Sequence, residues 1–133
     1  MRRGDAAMLG RQHIRNGVIA LRTAKTGQQV TIPLLSELSR VIEATPSTGD
    51  LSLVGMKVAT FGKWFARAAR AAGVPGSCHG LRKAGATRAA NNGATVAQLE
   101  SIFGWRGGRM ASLYTRGADR VRLAKEARGK LSK

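Results

Sequence analysis

The chain has 133 residues, and its 23 lysines and arginines against 7 acidic residues give it a formal charge of +16. This excess favours a polyanionic partner, above all nucleic acid, although ribosomal and membrane-surface proteins are basic as well. The length suffices for one domain with a real core but not for two. A single cysteine, Cys78, and two histidines exclude an internal disulfide framework and a Cys/His metal cluster, and no stretch approaches a membrane span in length.

The first part of the chain predicts a short helix followed by a β-hairpin. Residues 1–13 can begin as a helix, with Asp5 as its N-cap. Residues 18–22 and 29–33 predict two strands, and the linking sequence TAKTGQ holds a glycine that suits a hairpin turn. The segment TPSTGD at 45–50 predicts a loop.

The remaining segments predict helices. Thr95 and Gln98 form a capping-box pattern at the start of one of them. The segment 58–72 is strongly amphipathic and predicts a helix with Val58, Phe61 and Phe65 on one face and its basic residues largely on the others. The predicted helices lie at 34–44, 58–72, 79–92, from Thr95 to about Phe103, from about 109, and at 118–130. The fold class is therefore α+β, mostly α-helical, with a small antiparallel β-sheet near the N-terminus.

A spaced set of reactive residue types suggests chemistry on a phosphodiester. Arginine guanidinium groups match phosphate oxygens with two hydrogen bonds. The only tyrosine of the chain has a phenol that could serve as a nucleophile. On the predicted helix the i, i+3 spacing of His79 and Arg82 places both on one face. The full set is Arg2, Lys25, His79, Arg82, Trp105 and Tyr114.

These residues occur in five short blocks. They are RRGD at the start with Asp5 as an acidic companion, KTG at 25–27, HGLR at 79–82, FGW at 103–105, and Tyr114 nine residues after Trp105. Each block alone is weak, but all of them in this order with compatible gaps resemble the catalytic domain of the tyrosine recombinases, the phage integrase family. The resemblance covers nearly the whole chain.

The resemblance implies a fold and a reaction. The fold is the tyrosine-recombinase catalytic domain, and the activity is site-specific DNA recombination or integration through a 3′-phosphotyrosine intermediate. Arg2 and Arg82 would bind the non-bridging phosphate oxygens, while His79 and Trp105 would hydrogen-bond the phosphate region. Lys25 would protonate the leaving 5′-oxygen, and Tyr114 would attack. No metal, cofactor or small-molecule substrate is expected.

The resemblance also implies an organisation and partners. Residues 1–133 are expected to be a catalytic domain truncated at its N-terminal end, without the separate N-terminal DNA-binding domain of full-length members. In such a fragment Arg2, Lys25 and Tyr114 could be displaced from the other site residues. The partner is double-stranded DNA, and the segment 118–130 is expected to dock on a neighbouring protomer in a tetramer on DNA, or else to fold back onto its own core. The expected location is the cytoplasm, for a bacterial or phage-encoded protein.

Other interpretations of the sequence remain open. A non-catalytic basic DNA-binding module, such as a helix-turn-helix regulator, would leave the ordered lysine and tyrosine blocks unexplained. An inactive prophage remnant would keep the fold, and a type IB topoisomerase would share the chemistry, although the short core and the spacing from Trp105 to Tyr114 favour a recombinase. Further basic residues flank the site and are expected to contact the DNA backbone, namely Lys83, Arg88, Arg106 and Arg109.

Overall fold

The structure of the chain is a computed structural model that describes residues 1–46, 52–118 and 120–131. These residues form two compact units, and we call Met1–Arg82 unit 1 and Lys83–Lys133 unit 2. The helices and strands are α1 (Arg3–Met8), β1 (Ile14–Arg15), β2 (Val18–Arg22), β3 (Gln29–Pro33), α2 (Ser36–Ala44), α3 (Val58–Ala71), α4 (Cys78–Asn91), α5 (Val96–Phe103), α6 (Arg109–Thr115) and α7 (Arg120–Leu131). Most of the loop expected at 45–50 lies outside the described residues.

Unit 1 contains a three-stranded antiparallel sheet in the order β1-β2-β3. Ile19 pairs with Ile32 and Leu21 with Val30, so the alternating apolar residues of the hairpin share one face. The two predicted strands are confirmed, whereas the short strand β1 was missed. It joins β2 through Asn16 and Gly17, whose φ angles of 50° and 70° match a tight type I′ hairpin turn.

The helices of unit 1 lie where the sequence placed them, with one correction at α1. Helix α1 begins at Arg3, so Asp5 occupies its first turn and is not its N-cap. Helix α3 forms where the amphipathic segment predicted it, and Phe61 and Phe65 of its apolar face are half-buried, although no residue of the helix is fully buried. It packs against α1 at Gly62, where a Cβ atom would lie 2.7 Å from Nη1 of Arg3.

Unit 2 is a helical unit with an apolar core. The predicted capping box is confirmed, because the amide of Gln98 donates to Oγ1 of Thr95 at 3.2 Å and the amide of Thr95 donates to Oε1 of Gln98 at 2.8 Å. Leu123 of α7 packs on this core. The buried core residues are Ala86, Ala90, Leu99, Phe103, Ala111 and Ala118. The observed fold is thus mostly helical with one small antiparallel sheet, as predicted.

Candidate active site

Four of the six predicted catalytic residues line one pocket of unit 1. The pocket has a volume of about 330 Å³. Its lining residues are Met1, Arg2, Arg3, Gly4, Lys25, Val58, Cys78, His79 and Arg82. Three arginines, a lysine and an imidazole therefore share a small open space, which suits a compact anion with several acceptor oxygens.

Three separate elements bring these four side chains to the pocket. Arg2 is the residue just before α1, and Lys25 lies in the turn between β2 and β3. His79 and Arg82 are three residues apart near the start of α4, so one helix face presents both. The sequence left open that Arg2 and Lys25 are displaced from His79 and Arg82, but all four line the same pocket.

The turn that carries Lys25 is fixed by its own hydrogen bonds. The Thr23 amide donates to the Gln28 carbonyl at 2.8 Å, and the Gly27 amide donates to the Thr23 carbonyl at 2.9 Å. Oγ1 of Thr23, a buried residue, lies 2.8 Å from Oγ1 of Thr26. Gly27 has a φ of 63°, which glycine adopts without strain. These contacts hold the loop in one shape even though Lys25 itself is exposed.

A buried carboxylate links this turn to α1. Asp5 is only 4% exposed, and its Oδ1 accepts a hydrogen bond from the Ala24 amide at 2.9 Å. Its Oδ2 accepts a longer one from the Arg2 amide at 3.4 Å. Asp5 therefore contacts the backbone next to both Arg2 and Lys25, and it sets the spacing of these two cations through the main chain.

Two of the pocket cations, Arg2 and Arg82, are partly removed from water. Arg82 is 9% exposed. The Nη1 atom of Arg2 is buried and has no hydrogen-bond partner among the described residues. A buried guanidinium nitrogen without an acceptor is costly, and an anion in the pocket would supply the acceptor. Burial lowers the pKa of the Met1 amino group at the same site, and the charge of Arg82 lowers that pKa further.

The other two predicted residues lie together in unit 2. The rings of Trp105 and Tyr114 stack with centroids 5.3 Å apart and planes inclined by 7°. Trp105 also stacks on the ring of the buried Phe103, with centroids 4.8 Å apart and planes inclined by 18°. Tyr114 lies on α6 and is half-buried, so the single tyrosine is held by an aromatic stack on the core of its unit.

One polar contact near this stack was not foreseen from the sequence. Oε1 of Glu100 accepts a hydrogen bond from the Gly108 amide at 2.7 Å, across the turn between α5 and α6. The sequence feature that could have drawn attention to Glu100 is its position on a short apolar helix just before the Gly-Trp pair. Acidic residues are rare in this chain, which has only 7 of them. Periodicity alone could not reveal its partner.

The surroundings of these groups agree with a basic surface. The four flanking residues expected to contact DNA are all exposed, namely Lys83, Arg88, Arg106 and Arg109. Across the described ranges, no group of three or more His, Cys, Asp or Glu side chains is placed to hold a metal ion. None of the helices that the structure describes has both the length and the apolar character needed to cross a membrane.

Comparison with known proteins decides the family. The model of the Phage integrase family matches residues 1–120, which is most of the chain. The chain belongs to the phage integrase family. The resemblance drawn from the sequence blocks is thereby confirmed. No match was found among curated proteins.

Solved structures of integrases and recombinases share the fold. The catalytic domain of bacteriophage HP1 integrase is similar with a TM-score of 0.72 and 21% identity, over 95% of this chain and 73% of that one. XerA recombinase is similar with a TM-score of 0.72 and 16% identity, over 97% of this chain and 53% of XerA. A lambda integrase dimer bound to a COC' core site is similar with a TM-score of 0.69 and 21% identity, over 89% of this chain and 49% of the integrase chain. The chain thus spans about half the length of the last two proteins.

Proposed function

We propose that this member of the phage integrase family is the strand-transfer core of a tyrosine-type site-specific DNA recombinase. The observation that carries the proposal is the pocket of unit 1, where Arg2, Lys25, His79 and Arg82 meet. Such a set suits a phosphodiester, and the only tyrosine of the chain supplies a nucleophile. The substrate is double-stranded DNA, and we place its reaction in the cytoplasm of a bacterium.

The first step of the proposed reaction is attack by Tyr114. Its phenol loses its proton to solvent water, the resulting phenolate oxygen forms a bond to the phosphorus, and the bond from phosphorus to the 5′-oxygen breaks. The pentacovalent transition state carries extra negative charge, which Arg2 and Arg82 stabilise at the non-bridging oxygens. His79 and the indole N–H of Trp105 donate hydrogen bonds to the same phosphate. The proposal requires the pocket residues and Tyr114 to act on one phosphate when DNA is bound.

Lys25 completes this step as the general acid. The leaving 5′-oxygen is a poor leaving group, and the ammonium of Lys25 gives it a proton. The product is a 3′-phosphotyrosine ester and a free 5′-hydroxyl. Because the ester keeps the energy of the broken bond, a 5′-hydroxyl from another strand can attack it in the reverse reaction and release Tyr114 without ATP.

Two features of the pocket support binding of a phosphate. The buried Nη1 atom of Arg2 has no acceptor among the described residues, and a phosphate oxygen would provide one. The backbone around Arg2 and Lys25 is held by Asp5, which limits the reorganisation needed when charge develops. A helix-turn-helix module has no need for either feature.

Trapping of a covalent adduct on a nicked suicide substrate tests the proposal. Wild-type protein should form a protein–DNA adduct, and Tyr114→Phe should form none while its DNA affinity stays within about twofold, because one hydroxyl and no charge is lost. Arg82→Ala should weaken both binding and adduct formation, the latter by roughly 10²–10³-fold. An adduct that persists in Tyr114→Phe identifies another nucleophile. Absence of any wild-type adduct alongside tight DNA binding favours the non-catalytic module.

We further propose that the protein assembles on DNA as a tetramer through its C-terminal segment. In the free chain α7 packs through Leu123 on the core of unit 2, which is the fold-back arrangement. Val121 and Leu131 of the same helix are exposed, at 66% and 87%, and are available to a neighbouring protomer. The domain organisation, with a DNA-binding portion outside this catalytic domain, remains part of the proposal.

Deletion of residues 118–133 from the full-length protein tests this assembly. Recombination complexes on DNA, counted by native gel or mass photometry, should become much rarer, because a docking helix is removed. Because the deletion also removes Ala118 and Leu123 from the core of unit 2, Leu131→Ala separates the two arrangements: with this core intact, rarer complexes at unchanged thermal stability indicate docking on a neighbouring protomer. Complexes that form equally well without residues 118–133 would show that the segment only folds back.

A further inference from the structure

The turn between α5 and α6 is held at both ends by one residue, Glu100. Its backbone carbonyl accepts hydrogen bonds from the amides of Gly104 and Trp105, the latter at 3.2 Å. Its carboxylate Oε1 accepts one from the amide of Gly108 at 2.7 Å. Glu100 is half-buried, so water competes with this second contact less than it would on an open surface.

This turn determines where the aromatic stack lies. Trp105 is within it, and Gly108 is the residue just before α6, the helix that carries Tyr114. Gly107 and Gly108 have φ angles of 74° and 73°, a region that glycine enters freely and leaves as freely. A turn with two such residues needs a tether to keep one geometry. The carboxylate of Glu100 supplies this tether at Gly108, in addition to the backbone contacts at Gly104 and Trp105.

We infer that Glu100 is a positioning residue that acts through the Gly108 amide to hold the rings of Trp105 and Tyr114 in register. A charge-assisted hydrogen bond of 2.7 Å is among the stronger contacts a side chain makes to an amide. Without it, the start of α6 can shift, and the ring of Tyr114 shifts with it. The part of the inference that concerns catalysis rests on the proposed function, whereas the part that concerns ring geometry does not.

The negative charge of Glu100 makes it possible to distinguish a role in positioning the rings from a role in binding DNA. A carboxylate near DNA opposes the phosphates, so removing its charge should leave DNA affinity unchanged or slightly higher. A loss of adduct formation with unchanged affinity therefore cannot come from a weakened DNA contact. It must come from the placement of the reacting groups.

The experiment compares three variants of the chain with wild type. Glu100→Ala removes the acceptor, and Glu100→Gln keeps an oxygen at the same reach without the charge. Glu43→Ala is the control, because Glu43 is exposed in unit 1 and its carboxylate accepts a hydrogen bond only from Ser39 among the described contacts. The readouts are ring-to-ring NOEs between Trp105 and Tyr114, hydrogen exchange of the Gly108 amide, DNA affinity, and the single-turnover rate of adduct formation.

Glu100→Ala should weaken the ring NOEs, speed exchange at Gly108 and slow adduct formation by roughly tenfold or more, with DNA affinity within about twofold of wild type. Glu100→Gln should restore the NOEs and bring the rate to within about threefold. Glu43→Ala should match wild type in all readouts. Wild-type NOEs, exchange and rate in Glu100→Ala would overturn the inference.

Two further outcomes are also decisive. If Glu100→Ala does not fold, Glu100→Asp replaces it, because this side chain keeps the charge but is one methylene too short to reach Gly108. The same losses are expected, and wild-type values in Glu100→Asp would overturn the inference. If wild-type protein forms no adduct, the proposed function fails, but the NOEs and the Gly108 exchange still decide whether Glu100 positions the rings.

Discussion

Unit 1 holds its candidate catalytic side chains with polar contacts, whereas unit 2 holds its own with apolar packing. Among the described residues, the buried polar or charged side chains are Asp5, Thr23 and Arg82, and all three belong to unit 1. In unit 2 the buried residues are apolar, and Phe103 supports the stacked rings of Trp105 and Tyr114.

This difference follows from what each group has to do. Cations that bind a phosphate must keep their charges at fixed positions and partly away from water, and only hydrogen bonds fix the polar backbone around them. A phenol ring needs no charged support, and stacking on an indole fixes its plane. Replacing the polar side chains that support the pocket should therefore impair unit 1. Replacing the aromatic rings of the stack should impair unit 2.

The largest expected effect in unit 1 is that of Lys25→Ala. Loss of a general acid should slow adduct formation by about 10²–10⁴-fold, with little change in fold because Lys25 is exposed in its turn. Single-turnover trapping on the suicide substrate measures the rate. Lys63→Ala is the control, since Lys63 is an exposed lysine of α3 that does not line the pocket.

A modified substrate distinguishes proton donation from simple charge stabilisation by Lys25. With sulfur in place of the bridging 5′-oxygen, the leaving group needs no proton, and Lys25→Ala should react nearly as fast as wild type. If the substitution stays equally harmful on the sulfur substrate, Lys25 acts as a fixed cation and the general acid must be sought elsewhere in the pocket.

The sequence was sufficient for what local patterns determine. The hairpin at 18–33, the capping box at Thr95 and the positions of the helices follow from periodicity and turn residues within a few positions of each other. The six site residues came from the spacing of family blocks, and whether they react as a set is still a prediction. The strand Ile14–Arg15 was missed because two residues carry no visible alternation, although its Asn-Gly turn was readable.

Tertiary contacts were beyond such patterns. The hydrogen bond from the Ala24 amide to Asp5 joins residues 19 positions apart. The bond from the Gly108 amide to Glu100 depends on how a two-glycine turn closes. The amphipathic segment of α3 predicted an apolar face, but not that Phe61 and Phe65 of this face would be only half-buried, because pattern gives the direction of a face and not its partner.

The next largest effect is expected from Asp5→Ala, which tests the polar contacts that support the pocket of unit 1. Asp5→Ala leaves the amide of Ala24 without its acceptor and should lower the free energy of unfolding by about 1–3 kcal/mol. The spacing of Arg2 and Lys25 should loosen as well and slow adduct formation by up to about 10²-fold. Asp5→Asn keeps one oxygen acceptor and should recover part of both losses.

Thermal unfolding and trapping under the same buffer conditions separate these two consequences. Glu37→Ala removes an exposed carboxylate from α2 and controls for the change in net charge. A variant Asp5→Ala that is destabilised but forms adducts at the wild-type rate would show that Asp5 supports the fold without setting the pocket. The polar contacts of Asp5 in unit 1 would then matter for stability and not for the reaction.

The smallest expected effect tests the apolar support of unit 2 through Trp105. Trp105→Phe keeps a ring between Phe103 and Tyr114 but removes the indole N–H, so it should slow adduct formation by about tenfold, the worth of one hydrogen bond to a charged group. Trp64→Phe is the control, because Trp64 is 43% exposed and stacks on Phe61 in unit 1.

Two other substitutions at the same position separate the hydrogen bond from the stack. Trp105→His restores an N–H donor on a smaller ring and should react faster than Trp105→Phe if the donor matters. Trp105→Ala removes donor and stack together, so it should lower the thermal stability of the chain and the adduct rate below those of Trp105→Phe. If Trp105→Phe reacts like wild type while Trp105→Ala is slow, Trp105 serves only to hold the ring of Tyr114, and the phosphate receives its hydrogen bonds from the pocket of unit 1 alone.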